Sequence, residues 1–495
     1  MRHKDRVRLL AAVLASIAVV VPLGLLWWSS LPPSAYSVMD MGYADYGGGP
    51  HDHAMGATAD GSGAGGTVSV ADLTEHTSRP ADVLVHLVAR KQSVRLADGR
   101  LIDGYTLNGS TPGPQITVTV GQLVEVHVHN ESVPDGITVH WHGVDVPNAE
   151  DGVAGVTQDA IPVGGDFTYR FAAPHVGTYW YHSHQVSHEQ VAGGLFGALV
   201  VLPKHPERDV RDFTALAHSY DGIPTVNGRP HGTTVEASPG QTVRVRLVNT
   251  DNVPLLAWSD AAYRLVAVDG YAVHDPGTVT GRTVEVPAGG RADVQVTAPA
   301  DGSATRVNVG PSTWLTIGPA GATSRPVPVP DRALDLLAYG TSAPLPFDPG
   351  KPDRRFVYDI GRRVGLMDGK PGFWWTVNGH LFPDMPMFVV RRRDVVLIRI
   401  SNHSGVVHPM HLHGHHAVVL ARNGVRSTGS PWWVDSLDVD DGDSYQIAFL
   451  ADNPGIWMDH CHNLEHATQG LVTHLMYEGV TEPFRVGGPS HNHPE

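Results

Sequence analysis

Cys461 is the only cysteine in 495 residues, and it stands between His460 and His462. A lone thiol cannot form a disulfide within the chain or a cysteine-rich zinc site. A cysteine with neighbouring histidines is instead the ligand set of a copper thiolate that transfers single electrons. Side chains alternate between the faces of a strand, so an extended segment 460–462 would point the thiol one way and both imidazoles the other. One strand could then serve two metal sites.

The chain has 30 histidines, and the most informative of them occur as His-x-His pairs. The two rings of such a pair lie on one face of a strand. Neutral imidazole binds copper well. Eight imidazoles exceed the needs of one metal ion but match three copper ions, and His408, Cys461 and His466 match a fourth. The four pairs are His140/His142, His182/His184, His411/His413 and His460/His462.

The elements that must hold these residues are predicted to be short strands. From Arg79 onwards, apolar and polar residues alternate in short segments separated by turn signals, and no strong amphipathic helical pattern occurs. A similar order of features appears three times, with an Asn-Gly turn followed by a valine-rich strand that ends in asparagine. The Asn-Gly turns are at Asn108, Asn227 and Asn378. This repetition predicts three related β-sandwich domains.

Composition restricts the partners and the compartment. The formal net charge of −15 does not suit a nucleic-acid-binding protein. Four basic residues within the first eight precede an uncharged run from Leu9 to Trp28, and no Lys or Arg follows until Arg79. This asymmetry predicts a membrane anchor with the body outside the cytoplasm, or a secreted protein if the segment is cleaved. Residues 29–78 have no apolar periodicity, which predicts a disordered linker.

The four histidine motifs resemble those of the multicopper oxidases, the laccase-like family, over about residues 80–480. The resemblance implies an all-β fold of three cupredoxin-like Greek-key β-sandwich domains, with a trinuclear copper cluster between the first and the third. The expected divisions are a membrane or signal segment 1–28, a linker 29–78, domain 1 at 79–205, a copper-free domain 2 at 206–335, domain 3 with the type 1 copper at 336–485, and a tail 486–495.

The resemblance also implies a ligand set of four copper ions. The type 1 ligands would be His408, Cys461 and His466, and the type 2 ligands His140 and His411. The type 3 ligands would be His142, His182, His184, His413, His460 and His462. Leu471 occupies the axial position, which implies a three-coordinate type 1 site of fairly high potential. Cys461 and His466 would conduct the electrons, and Asp151 and Glu465 are the candidate proton-relaying acids, with Asp459 as a further one.

The expected activity is the one-electron oxidation of a small phenolic or aromatic substrate, coupled to four-electron reduction of dioxygen to water. An alternative is oxidation of cuprous or ferrous ions, which the histidines and methionines at 39–55 favour weakly. A copper nitrite reductase is disfavoured by the eight paired histidines and the third domain. A non-catalytic copper-binding cupredoxin scaffold would lack ligands, whereas all positions are filled here.

Overall fold

Alternation of apolar and polar side chains along the strands produces paired sheets around three separate apolar cores. The computed structural model describes residues 3–49, 67–75 and 77–495. The all-β sandwich architecture predicted from the sequence is confirmed. Helices beyond the N-terminal one, among the described residues, are the short Ser187–Ala192 and Leu464–Thr468 and the 3-10 turns Val38–Asp40, Val70–Asp72 and Asn148–Glu150.

The first sandwich encloses a core that includes Val126, Trp141 and Phe171. Its outer sheet has the strand order Leu101–Leu107, Val83–Arg95, Leu123–Asn130, Asp166–Ala172. Its other sheet has the order Ile116–Thr119, Phe196–Leu202, Gly177–His182, His140–His142. Two of the four histidine pairs therefore belong to adjacent strands at one edge of this second sheet.

The middle sandwich carries no His-x-His pair and packs against the first through a small cluster that includes Trp180, Phe196 and Tyr220. One sheet has the order Ile223–Val226, Val210–Tyr220, Thr242–Asn249, Arg291–Thr297, Tyr263–Val268, Tyr271–Ala272. The other has the order Gly232–Glu236, Trp314–Gly318, Thr305–Val309, Leu255–Ser259, Val284–Val286.

The third sandwich has the largest core and carries the other two histidine pairs. One sheet has the order Lys370–Val377, Arg354–Met367, Val395–Asn402, Ser444–Leu450, Ala417–Arg422, Val425–Arg426, and Trp432–Val434 also pairs with Ala417–Arg422. The other has the order Tyr43–Asp45, Pro386–Val390, Val472–Tyr477, Ile456–Cys461, His408–Leu412, Ser436–Val439.

The threefold repetition predicted from the sequence recurs in three dimensions at the Asn-Gly turns. Asn108, Asn227 and Asn378 all have φ between 52° and 54°, a left-handed conformation that asparagine tolerates. Each of these side chains accepts a hydrogen bond from one backbone N–H and donates to the carbonyl two residues earlier on the neighbouring strand. The same local chemistry therefore builds the same corner in all three sandwiches.

The linker predicted over residues 29–78 is not disordered along its described parts. Tyr43–Asp45 extends the third sandwich as a parallel strand beside Pro386–Val390, and the strand Ala35–Tyr36 pairs with Val486–Gly487. Val38 and Val70 are buried in the third core. Two further short strands, Val68–Ser69 and Val480–Thr481, also pair. These few apolar residues dock the segment, and they lie too far apart in sequence for a periodic signal. Residues 50–66 and 76, including His51, His53 and Met55, lie outside the described residues.

The N-terminal helix His3–Ser29 contains one stretch, Lys4–Ser29, that is long and apolar enough to cross a membrane. None of that stretch is buried against the protein. The ability to cross a membrane is inferred from length and composition alone, and a signal sequence can have the same length and composition. Ser30, just after the helix, contacts the turn at Asp368 and Gly369: its carbonyl oxygen accepts a hydrogen bond from the Asp368 backbone (3.0 Å) and its hydroxyl oxygen accepts one from the Gly369 backbone (3.2 Å).

Candidate metal centre

The four histidine pairs come from two sheets whose edges face each other. His140 is the cross-strand neighbour of His182 in the first sandwich, and His411 is the cross-strand neighbour of His460 in the third. Directly opposed residues of antiparallel strands point to the same face of the sheet. Two rows of imidazoles therefore meet between the first and third sandwiches, as the sequence predicts.

The eight rings form one cluster that is almost closed to solvent, with each residue at most 1% exposed. His140 stacks on His413 with ring centroids 3.8 Å apart, and His142 stacks on His411 at 3.7 Å. The Nε2 atoms of His413 and His460 lie 3.2 Å apart. Two imidazole nitrogens at that separation repel unless a proton or a metal ion lies between them.

The hydrogen bonds of these rings suit metal binding. In seven of the eight, one nitrogen bonds to an oxygen atom of the protein. Within the described chain, the nitrogens without a partner are Nε2 of His140, His182, His184 and His411, Nδ1 of His142 and both nitrogens of His462. A buried polar atom without a partner is costly. Copper, which favours imidazole, satisfies such atoms, and the opposite hydrogen bond orients each ring.

Burial also selects the protonation state that a metal ligand needs. Loss of hydration lowers the pKa of His142, His182, His184, His413, His460 and His462 well below the ordinary value, and neighbouring imidazoles contribute. The pKa of His411 is lowered by the same burial. These rings are therefore neutral at physiological pH, with a lone pair available for coordination.

Asp151 lies within the cluster. Its Oδ2 accepts a hydrogen bond from Nδ1 of His413 (3.0 Å), and its carbonyl oxygen accepts one from Nδ1 of His140 (2.9 Å). The residue is 1% exposed. Asp151 thus orients a histidine from each of the two facing sheets, one through its carboxylate and the other through its backbone carbonyl.

Glu465, the second acid expected near the cluster, is exposed on the short helix Leu464–Thr468 and is not brought to the histidines. The glutamate that is brought there is Glu495, whose Oε1 lies 3.1 Å from Nδ1 of His460. Its Oε2 accepts a hydrogen bond from Ser187 (2.8 Å). Burial raises the pKa of Glu495 to about 8. The segment predicted to be a tail therefore contributes to the site. No sequence motif around Glu495 predicts this contact.

The surrounding segment 491–495 is held by several contacts. The carbonyl oxygen of Pro494 accepts a hydrogen bond from Nδ1 of His184 (2.9 Å). Asn492 is 1% exposed and donates to the carboxylate of Asp159 (2.7 Å). Nothing in the sequence around Asp159, which follows Thr157 and Gln158, predicted this hydrogen bond with Asn492.

Asp435 is a further buried acid at the cluster that the sequence did not reveal. Nε2 of His142 donates to its Oδ1 (3.2 Å), and Nδ1 of His411 donates to its carbonyl oxygen (2.9 Å). Ser436 places its hydroxyl 3.1 Å from the same nitrogen of His142. Asp435 lies at the bend between the short strands Trp432–Val434 and Ser436–Val439, and its sequence neighbours carry no recognisable signal.

The second centre is formed by His408, Cys461 and His466. The Sγ atom lies 3.6 Å from Nδ1 of His408 and 3.7 Å from Nδ1 of His466, and the two nitrogens are 3.2 Å apart. Burial lowers the pKa of His408 to about 3 and that of His466 to about 4. Burial without a metal also raises the pKa of the Cys461 thiol. Bonding to a cation is what would make the thiolate stable here.

One methionine and buried apolar residues are the neighbours of this trio that the strand geometry identifies. Leu471 is fully buried, and its carbonyl oxygen accepts a hydrogen bond from the Cys461 backbone (3.1 Å). Met458 lies three residues before Cys461 on the same strand and therefore on the opposite face. Met410 is the direct cross-strand neighbour of Cys461 and shares its face. Only the strand pairing reveals that Met410 lies beside Cys461.

Comparisons with known proteins agree with this geometry. Two family models, each described as multicopper oxidase, match residues 89–206 and 361–479. The chain is 28% identical over 484 residues to multicopper oxidase MmcO of Mycobacterium tuberculosis, covering 84% of this chain and 92% of that protein. It is 29% identical over 449 residues to Laccase-1 of Botryotinia fuckeliana, covering 76% and 79%. The crystal structure of a multi-copper oxidase from Pseudomonas Thermotolerans matches with a TM-score of 0.66 at 26% identity, covering 80% of this chain and all of that one.

Proposed function

The chain belongs to the multicopper oxidase family and is a copper-dependent oxidoreductase, and from that premise we propose that it oxidises phenolic or other aromatic donors. Each donor loses one electron, and four electrons with four protons convert one dioxygen molecule to two water molecules. The observation that carries the proposal is the closed cluster of eight histidines, joined through Cys461 to a separate His-Cys-His trio. Three domains over 79–205, 206–335 and 336–485 are part of this proposal, supported by the three apolar cores.

We assign four copper ions to the residues that the motifs single out. His408, Cys461 and His466 hold type 1 copper, and His140 and His411 hold type 2 copper. The type 3 pair is held by His142, His182, His184, His413, His460 and His462. Copper, when bound, supplies the one-electron acceptor at the first centre and the electrons for dioxygen at the second. The protein contributes neutral imidazoles, their orienting hydrogen bonds and a short covalent path from Cys461 to its two flanking histidines.

The surface beside His466 favours an aromatic donor. The ring of Trp375 lies 4.6 Å, centroid to centroid, from the rings of both His408 and His466. Arg362 places its guanidinium 4.2 Å from the Trp375 centroid and 4.6 Å from that of Phe373. Phe373 itself is 52% exposed. A flat aromatic molecule could stack on this face within electron-transfer distance of a ligand ring.

The N-terminal helix supports attachment to a membrane, with the body outside the cytoplasm. Its 26-residue apolar stretch exceeds the ~20 residues that a span requires. The paired strand Ala35–Tyr36 begins six residues after Ser29. The body would therefore lie directly on the membrane, with the Asp368 turn facing the lipid surface. A long flexible tether, as expected from the sequence, is not needed.

The Cys461→Ser variant tests the function. A hydroxyl is a poor ligand for a soft copper site, so we expect loss of the blue absorption and of donor oxidation. Copper analysis should find about three ions per chain instead of four, since the trinuclear ligands are untouched. Oxygen uptake by the unaltered protein should be compared for a phenol, ferrous ion and cuprous ion. Blue absorption in the variant contradicts the assignment, and turnover with metal ions alone contradicts the donor class.

A further inference from the structure

A buried ion pair joins the middle sandwich to the histidine cluster. Nη1 of Arg291 donates to Oδ1 of Asp435 (2.6 Å), and Nη2 donates to Oδ2 (2.5 Å). Both side chains are fully buried. Such a two-pronged pair fixes the plane of the carboxylate as well as its position.

Asp435 is in turn bonded to the cluster, through His142 by its side chain and through His411 by its backbone. The bond to Nε2 of His142 leaves Nδ1 as the nitrogen available for a metal. The bond to Nδ1 of His411 leaves Nε2 available in the same way. Asp435 therefore fixes which nitrogen each ring presents, through its carboxylate for His142 and through its backbone carbonyl for His411.

Asp269, also from the middle sandwich, completes the arrangement. Its Oδ1 accepts a hydrogen bond from the backbone of Arg291 (2.8 Å). Its Oδ2 accepts from the backbone N–H groups of Asp435 (3.1 Å) and Ser436 (3.2 Å). Nε of Arg291 donates to the carbonyl oxygen of Thr178 (3.1 Å), on the strand that ends at His182. Arg291 thus contacts all three sandwiches.

The loop before Arg291 lies directly on two ligand rings. A Cβ atom on Gly289 would fall 2.8 Å from atoms of both His142 and His462, and Gly289 has a φ of +80°. A Cβ on Gly143 would fall 2.2 Å from Nη2 of Arg291. Glycine is required at both positions, because the backbone of the middle sandwich and that of the first motif touch the cluster itself.

We propose that Arg291 and Asp269 are positioning residues of the trinuclear site, acting on His142 and His411 through Asp435. The middle sandwich is then a part of the metal centre and not only a spacer between the copper-bearing sandwiches. The inference rests on the ligand assignment proposed above. Loss of the Arg291 fork would leave the Asp435 carboxylate held only by its other contacts, including Nε2 of His416 (3.0 Å), and free to turn away from Nε2 of His142.

The test measures copper directly, with Arg291→Lys and Asp269→Asn in the full chain. Lysine retains the charge but not the fork of donors. We expect a tenfold or greater loss of copper affinity at the trinuclear site, which contains both His142 and His411, about what loss of an orienting partner costs. The electron paramagnetic resonance signal of the remaining type 2 copper should also change, while the blue type 1 absorption is retained.

Arg246→Lys is the matched control. Arg246 is buried in the same sheet, pairs with Asp293 and also contacts Thr178, yet touches no metal-binding histidine. Unchanged type 2 spectra and copper content in Arg291→Lys would overturn the inference. Equal losses in Arg291→Lys and Arg246→Lys would overturn it too, because the effect would then be one of general packing. If His411→Ala also retains type 2 copper, the ligand assignment fails instead.

Discussion

A histidine binds a metal through a nitrogen that carries no proton, and the oxygen atoms around the cluster decide which nitrogen that is. His140 and His411 each donate Nδ1 to a backbone carbonyl oxygen, and Nε2 remains without a partner within the described residues. His142 is the opposite case, since its Nε2 bonds to Asp435 and Nδ1 remains. A prediction about one of these histidines can therefore name the ring nitrogen that would bind the metal as well as the residue.

His411→Ala should remove type 2 copper and stop dioxygen reduction, because the variant lacks one of the two ligands we assign to that ion. The type 1 site should still accept an electron from a donor without oxygen uptake. Stopped-flow absorbance and an oxygen electrode measure the two steps separately. His403→Ala, at a side chain that is 65% exposed, should leave both unchanged. Normal oxygen uptake in His411→Ala would contradict the assignment.

Leu471→Met should lower the type 1 reduction potential, because a thioether adds a soft ligand at the axial position that leucine cannot fill. Donors that are hard to oxidise should then lose the most activity. Redox titration of the blue absorption measures the change. Leu475→Met alters a leucine of the same buried core and should leave the potential unchanged. An unaltered potential in Leu471→Met would show that residue 471 is not axial.

At the scale of the elements, the segment 491–495 is positioned at the histidine cluster by tertiary contacts and not by a recognisable sequence motif. It supplies Pro494 to His184 and Glu495 to His460. Its anchor is Asn492, which accepts a hydrogen bond from the backbone of Ala160 (2.8 Å) through its side chain. The glutamate carboxyl is therefore held beside His460, although the described chain has no strand after Val486–Gly487.

Glu495→Gln should slow dioxygen reduction by about 100-fold, the lower range for loss of a general acid. The amide keeps the size of the side chain but cannot deliver a proton to the cluster. Electron transfer into the type 1 site and the copper content should stay the same. Glu465→Gln alters the exposed acid near the last motif and should have no effect. The opposite result, with only Glu465→Gln impaired, would return the proton-relay role to Glu465.

At the scale of the whole molecule, the N-terminal residues connect the proposed membrane span to the catalytic body. Ser37 and the backbone of Val38 both donate to Glu482 of the third sandwich (2.5 and 2.8 Å). Met41 is buried in the same core. The body and the span are therefore joined by a docked segment, which limits the orientations that the protein can adopt on a membrane.

Truncation separates anchoring from folding. The full chain should be recovered in the membrane fraction, and a chain beginning at Ser30 should be soluble and active. A chain beginning at Arg79 should be less stable, since it loses the strand Tyr43–Asp45 and the buried Val38 and Val70. Fractionation and thermal unfolding measure these outcomes. Equal stability of the two truncated chains would contradict the docking of residues 30–49 and 67–75, and a soluble full chain would contradict the anchor.

The amino-acid sequence by itself determined the all-β class, the copper chemistry and which histidines come together. These properties depend on local chemistry: alternation sets the face of a side chain, and a lone cysteine between histidines has few chemical uses. The repeated asparagine corners were also visible, because each corner uses a residue that tolerates positive φ and bonds to a nearby strand.

Tertiary structure alone decided which distant groups complete the site. Asp435, Arg291, Asp269 and Glu495 reach the cluster through strand order and sandwich packing, and the sequence around them resembles any strand or turn. The same holds for the docking of residues 30–49 and 67–75, whose few apolar anchors show no periodic spacing. Glu465 is the converse case: its place beside a motif predicted a role, and the structure places this residue exposed on a short helix. Proximity along the chain predicts contact only where the backbone directs the side chain inward.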